Sequence, residues 1–110
     1  NYSYISHFSS TQNDVHQLDL KMLMNSKESM ISGLGNGPID AFISGLSKKL
    51  NIQIKVSDYH QSAISSGSDA MAAAYIELEK DGETSWGVGI NQNTTRASFE
   101  AIIVGLSKLI

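Results

Sequence analysis

AFISGLSK, residues 41–48, returns as AIIVGLSK at residues 101–108, with six of eight positions unchanged. A match of that length inside a chain of 110 residues implies one structural unit used twice, by duplication. The surroundings of the two copies agree. Pro38 sits where a helix accepts a residue without an amide hydrogen, and Ile39, Phe42, Ile43, Leu46 and Leu50 mark one helical face, so a helix is predicted over Pro38–Leu50. Around the second copy, Asn93, Thr94 or Thr95 supplies an N-cap for a helix over Ala97–Leu109. Each helix follows a G-x-G segment, Gly33/Gly35 in one case and Gly87/Gly89 in the other.

Further upstream the period changes from helical to two. Leu18, Leu20, Met22 and Met24 alternate with Gln17, Asp19, Lys21 and Leu23, which predicts a half-buried strand over Val15–Met24. Tyr2–Ser9 alternates less cleanly, with Tyr2, Tyr4 and Ser6 on one side and Ile5 and His7 on the other; Ser29–Leu34 completes a third strand. In the second half Ile52, Ile54 and Val56 alternate, Ala70, Ala72, Ala74, Ile76 and Leu78 share one side of a strand, and Trp86, Val88 and Ile90 share one side of another. Lys80-Asp81-Gly82-Glu83 between the last two is a hairpin signal, because Asp-Gly tolerates the positive φ of a type I′ turn.

The fold class predicted is therefore α+β, an internal duplication of two βββα units over about 1–51 and 52–110, with sheets packed on two helices in one domain spanning 1–110. Such short units leave apolar surface over, which a symmetric homodimer would cover.

Composition narrows the function. There is no cysteine, so disulfides, thiolate metal sites and cysteine nucleophiles are out. The net charge of −3, with eight Lys and Arg scattered along the chain, lacks the basic stripe of a nucleic-acid surface. No window approaches the roughly 20 apolar residues of a membrane span, and no signal-peptide pattern opens the chain, so a cytoplasmic setting is expected. His7, His16 and His60 are far apart and form no metal-binding pair, and no serine lies in a nucleophile elbow. No catalytic or metal site is expected. The chain begins at Asn1, which suggests a piece of something longer.

GLGNGPIDAF, residues 33–42, is the segment best suited to a ligand. Glycines before a helix present amide hydrogens and the positive end of the helix dipole to an anion. The spacing matches neither the dinucleotide nor the phosphate-loop pattern, which leaves a tight strand-to-helix turn or the carboxylate of a small ligand. A second segment, residues 56–78, crowds Ala63, Gly67, Ala70, Ala72, Ala73 and Ala74 together, so a facing helix or an apolar ligand comes close there.

Taken in order, GNGPIDAF, DYHQSAISSGSDAMAAAYIEL, WGVGI and the ASFEAI helix resemble the C-terminal regulatory domain of 2-isopropylmalate synthases over about residues 15–110. Citramalate and homocitrate synthases share parts of this architecture, so the regulatory domain of one of these is the alternative reading. The resemblance implies two βββα units, a homodimer, and leucine bound near its interface as feedback inhibitor. It also implies an upstream TIM barrel, absent here, that uses a divalent metal to condense acetyl-CoA with 2-oxoisovalerate; this chain alone would hold no cofactor and turn over no substrate. The effector pocket it implies comprises Gly35, Asn36, Gly37, Pro38 and Ile39, then Val56, Asp58, Tyr59, Ala63 and Ala70, with Ile90. Amides at the first helix would take the leucine carboxylate, Asp58 or a carbonyl the ammonium, and Val56, Ala63, Ala70 and Ile90 would size the apolar slot. Many relatives carry histidine three residues after the tyrosine, where Ser62 stands here, and aspartate at the position of Asn91. Ser62 keeps two rivals in play, a dimerisation module without effector and a different effector; a free-standing amino-acid sensor is the third.

Overall fold

Alternation does put Leu18, Leu20 and Met22 on one side of a strand, where all three are fully buried. The computed structural model describes all of residues 1–110 and consists of two compact units, Asn1–Ile54 and Lys55–Ile110. The first runs β1 (Tyr2–Gln12), β2 (Val15–Met24), β3 (Lys27–Gly35) and α1 (Pro38–Leu50). The second runs β4 (Lys55–Ala63), β5 (Ala72–Lys80), β6 (Glu83–Asn91) and α2 (Thr94–Leu109). In each, three antiparallel strands lie in chain order and the helix returns across one face of the sheet. The predicted pair of βββα units is thus what the chain forms.

Each unit has its own core. Leu18, Leu20, Met22 and Ile31 meet Ala41, Phe42 and Leu46 from α1; Ala74, Ile76 and Leu78 meet Phe99, Ala101, Ile102 and Leu106 from α2. Three two-residue turns join the strands: Asn13-Asp14, Asn25-Ser26 and Asp81-Gly82, with positive φ at both residues of each, the type I′ geometry that matches strand twist. The link between β4 and β5 is longer, residues 64–71, held by Ile64 N–H to the Met71 carbonyl at 3.0 Å and Met71 N–H to Ser65 Oγ at 2.9 Å.

Three expectations about strands need correcting. Ile5 is the extra residue of a β-bulge, so His7 pairs with Leu20 and shares a face with Tyr4, whose hydroxyl lies 2.7 Å from His7 Nδ1. The Ile52–Val56 alternation is not a strand from its start. Asn51 ends α1 in the left-handed conformation at φ 55°, Ile52 N–H donates to the Ser47 carbonyl at 3.1 Å, and Ile54 is buried in the first unit; β4 begins at Lys55. Ala70 likewise lies in the β4–β5 loop, outside β5.

The structural repeat is not in step with the letters that reveal it. The bulges fall opposite Met22 in β1–β2 and opposite Leu78 in β4–β5, each two residues before its hairpin turn. From there the second unit follows the first at an offset of 56 residues: Met24 matches Lys80, Leu18 paired with Gly33 matches Ala74 paired with Gly89, and Pro38 matches Thr94. AFISGLSK and AIIVGLSK stand 60 apart, four residues further on. Four residues is close to one helical turn, so the match survives on the same buried face while the structural partner of Ala41 is Ala97.

Gly33 and Gly89 show why this position stays small. A Cβ on Gly33 would collide with the Ala41 carbonyl oxygen and lie 2.7 Å from Gly45 N; one on Gly89 would collide with the Ala97 carbonyl oxygen and lie 2.7 Å from Ala101 N. The helix therefore rests on strand backbone in both units. Because Gly87 and Gly89 form the side of β6 that faces α2, Trp86, Val88 and Ile90 project from the opposite side.

Candidate functional site

At the end of β3 the chain passes through Gly35, Asn36 and Gly37 into α1. Gly37 is the N-cap, with extended backbone at φ −165° and ψ −179° that any residue adopts, and no heavy atom lies within 4 Å of where its Cβ would be. Neither backbone conformation nor local packing within the chain requires glycine there. Gly35 differs: a Cβ would sit 2.6 Å from Ala41 N and 2.7 Å from the Asp40 carboxylate. Asp40, which sequence reasoning did not single out, reaches back to accept the Asn36 N–H at 3.1 Å. Pro38 and Ile39 form the first turn.

The same place in the second unit is built differently. Asn93 matches Gly37 and its side chain accepts the Arg96 N–H at 2.9 Å; Asn91 matches Gly35 and its side chain accepts the Asn93 N–H at 2.9 Å. Two amides at the entrance to α2 are thereby satisfied from within the unit. Their counterparts at α1, the N–H groups of Gly37 and Asp40, face a loop whose glycines bring no side chain, and α1 has no side-chain cap. They sit at the positive end of a 13-residue helix, an arrangement suited to an anion. His16 lies across from Gly35 on the same face; its Nδ1 is 3.3 Å from Thr11 Oγ1 and its buried Nε2 has no hydrogen-bond partner.

Gly35, Asn36, Gly37, Pro38 and Ile39 are thus gathered into one loop of the first unit. The remaining expected residues belong to the second unit, where they divide. By register Val56, Tyr59 and Ala63 lie on the α2 side of the sheet, opposite Leu78, Ile76 and Ala72. Tyr59 Oη is 3.4 Å from Ser98 Oγ on α2 and 3.2 Å from Gln61 Oε1. Asp58 and Ile90 lie on the other side, and Ala70 is in the loop before β5. Asp58 accepts the Tyr59 N–H at 2.8 Å and lies 3.3 Å from His60 Nε2, while His60 stacks on Trp86 at 6.2 Å between ring centres. Ser98 and His16 carried no distinguishing sequence pattern; Asn91 did, as a departure from relatives, but without a visible role.

The side of β4–β5–β6 away from α2 is apolar along β6 and polar along β4, where Asp58, His60 and Ser62 face outward. Tyr75, Trp86, Val88 and Ile90 are exposed on that side, with Asp58 and Glu77 at one end. The corresponding side of the first sheet is polar along its central strand, where Asp19 accepts from Ser32 Oγ at 2.7 Å and Lys21 lies 3.8 Å from Glu28.

Comparison with known proteins places these features in a family. Residues 4–110 match the family described as the LeuA allosteric (dimerisation) domain. The chain is 44% identical over 85 residues to the 2-isopropylmalate synthase of Mycobacterium leprae (strain TN), covering 77% of this chain and 14% of that protein. It is 46% identical over 78 residues to the enzyme of that name from Thermobifida fusca (strain YX), covering 71% and 14%, and 36% identical over 100 residues to that of Corynebacterium glutamicum, covering 91% and 16%. The chain spans about a seventh of the length of these relatives. With a match from residue 4 to residue 110 and a fold of two βββα units, the chain belongs to the LeuA allosteric (dimerisation) domain family.

Proposed function

We propose that the chain is the leucine-sensing part of a 2-isopropylmalate synthase, binding free leucine at the α1 entrance to mediate feedback inhibition, and that it works as a homodimer. The observation that carries the reading is the contrast between the two helix entrances: Asn91 and Asn93 satisfy the amides at α2, and nothing in the chain satisfies those of Gly37 and Asp40 at α1. A carboxylate there would gain charge-assisted hydrogen bonds from both amides. Asp40, by holding the Asn36 N–H, fixes the loop in the shape that exposes them. Of the residues that the resemblance implies, those of the loop 35–39 make up the proposed site; Val56 and Ala63 lie on the α2 side of the second sheet and Asp58 and Ile90 on its other side, so they are not assigned to one slot. Inhibition then requires leucine to favour one state of the longer protein, with a coupling of about 1–3 kcal/mol. Catalysis, with its divalent metal, acetyl-CoA and 2-oxoisovalerate, belongs to the barrel upstream.

Thermal unfolding with added leucine, isoleucine and valine tests the effector. A ligand at a hundred times its dissociation constant stabilises the folded chain by about 2.7 kcal/mol. Leucine is expected to raise the melting temperature more than valine does; no shift with any of the three contradicts the leucine site and favours the dimerisation module.

The dimer reading draws its support from the family description and from the exposed Tyr75, Trp86, Val88 and Ile90 on the outer side of β5 and β6. Val88 is 43% exposed at the middle of that side, so Val88→Glu does not disturb the core. Sedimentation is expected to show a dimer for the native chain and a monomer for Val88→Glu, with unchanged circular dichroism. A Val88→Glu dimer of native strength would contradict this choice of surface.

A further inference from the structure

We infer that Asn36–Gly37 is a site of spontaneous deamidation, singled out by the fold among the seven asparagines, and that it switches the α1 entrance off irreversibly. In this reaction the backbone nitrogen of residue i+1 attacks the side-chain carboxamide carbon of the asparagine. A C–N bond forms, the amide proton leaves to solvent and ammonia departs with a proton from solvent, giving a five-membered succinimide. Water then opens the ring at either carbonyl, to aspartate or to isoaspartate. The step needs an unencumbered nitrogen, a free carboxamide and room for the ring.

All three conditions meet at residue 36. The Gly37 N–H makes no hydrogen bond, Asn36 is exposed and its side chain holds no partner, and no heavy atom lies within 4 Å of the Gly37 Cβ position. Glycine also puts the least bulk beside the attacking nitrogen. The positive end of α1 favours both the deprotonated nitrogen and the oxyanion that forms as it attacks.

The other asparagines fail one condition or more. The carboxamides of Asn91 and Asn93 each accept a backbone N–H at 2.9 Å. After Asn51 comes Ile52, whose N–H is bonded to the Ser47 carbonyl. Asn25 accepts from the N-terminal ammonium at 3.4 Å within a two-residue turn, and in the Asn13-Asp14 turn the neighbouring carboxylate opposes deprotonation. Tyr2 crowds the nitrogen that follows Asn1.

The consequence follows from charge and chain length. Either product puts a new carboxylate four residues before Asp40, and isoaspartate also adds a methylene to the loop backbone. An anionic ligand would then meet two carboxylates at the entrance. This consequence, and the protection expected from leucine, rest on the proposed effector site; the deamidation does not. Leucine held by the Gly37 amide would occupy the nucleophile and slow the reaction.

The experiment is to incubate the full chain at 37 °C and mildly alkaline pH, with and without saturating leucine, and follow each asparagine by peptide mass mapping and isoaspartate methylation. Asn36 is expected to convert first. Gly37→Ala should slow conversion at Asn36 by about an order of magnitude, and leucine should slow it several-fold in the native chain. Conversion at Asn25 or Asn13 as fast as at Asn36, or no conversion at Asn36, overturns the inference. Rapid conversion that leucine leaves unchanged upholds the modification site and instead counts against the effector site.

Discussion

Gly37→Asn is expected to make the chain more stable and to weaken its binding of leucine at least tenfold. The substitution installs at α1 the cap that Asn93 provides at α2, where the side chain accepts an N–H at 2.9 Å. The extended backbone at Gly37 accepts any residue, and the space around it is open. Capping by asparagine in place of glycine contributes a few tenths of a kcal/mol to stability. The same side chain fills the place of the effector carboxylate and takes the Asp40 amide from it. Each lost charge-assisted bond costs about 1.5–3 kcal/mol, so affinity should fall by at least tenfold and by a hundredfold or more if both bonds go. A loop whose glycine served only the turn would give a different pattern, with leucine affinity unchanged. Paired unfolding curves and leucine titrations of the native and Gly37→Asn chains distinguish the two.

The second large effect is expected at Gly89→Val. The Cβ of any residue here meets the Ala97 carbonyl oxygen and the Ala101 nitrogen, which are helix backbone and cannot rotate away. Either α2 lifts off β6, exposing Phe99 and Ile102, or the strand distorts. Overpacking of a rigid site costs about 1–3 kcal/mol or more, and with backbone on both sides the upper end is expected; for a chain of this size that lowers the melting temperature by roughly 10 °C or more. Gly82→Asn is the control. Gly82 has φ 81° in a hairpin turn with nothing near its Cβ position, a conformation asparagine tolerates, so its melting temperature should change by no more than a few degrees. Equal losses at both positions would mean that generic glycine effects, not the helix contact, set the stability.

Period two and period 3.6 were enough to read β2, β3, β5, β6 and the two helices, because each of those strands has one face against a helix; β1 and β4 lie at the sheet edges without a buried residue, and there the pattern is weak. The two periods could not reveal the bulge at Ile5. An inserted residue reverses the facing of everything beyond it without changing the composition that periodicity reads. Ile52–Val56 misled for a related reason: Ile54 is buried, but against the end of the first unit, so alternating burial there does not mean strand pairing.

The glycine loop of the candidate site was legible as a place where amides stand open. Which amides, and why only one of the two entrances, was not. That comparison needs Gly35 set against Asn91 and Gly37 against Asn93, at the offset of 56 that the strand pairings define. The letters align at 60 and pair those residues wrongly. Duplication thus hides its own divergence: one copy has side chains that close its helix entrance, and the other has glycine at both places.

The claim that one entrance of the pair is left for an effector is tested most directly by calorimetric titration of leucine into the native chain. The account predicts a saturable heat that ends at one leucine per chain. Saturation at two per chain, or no heat of binding at any leucine concentration, would contradict it.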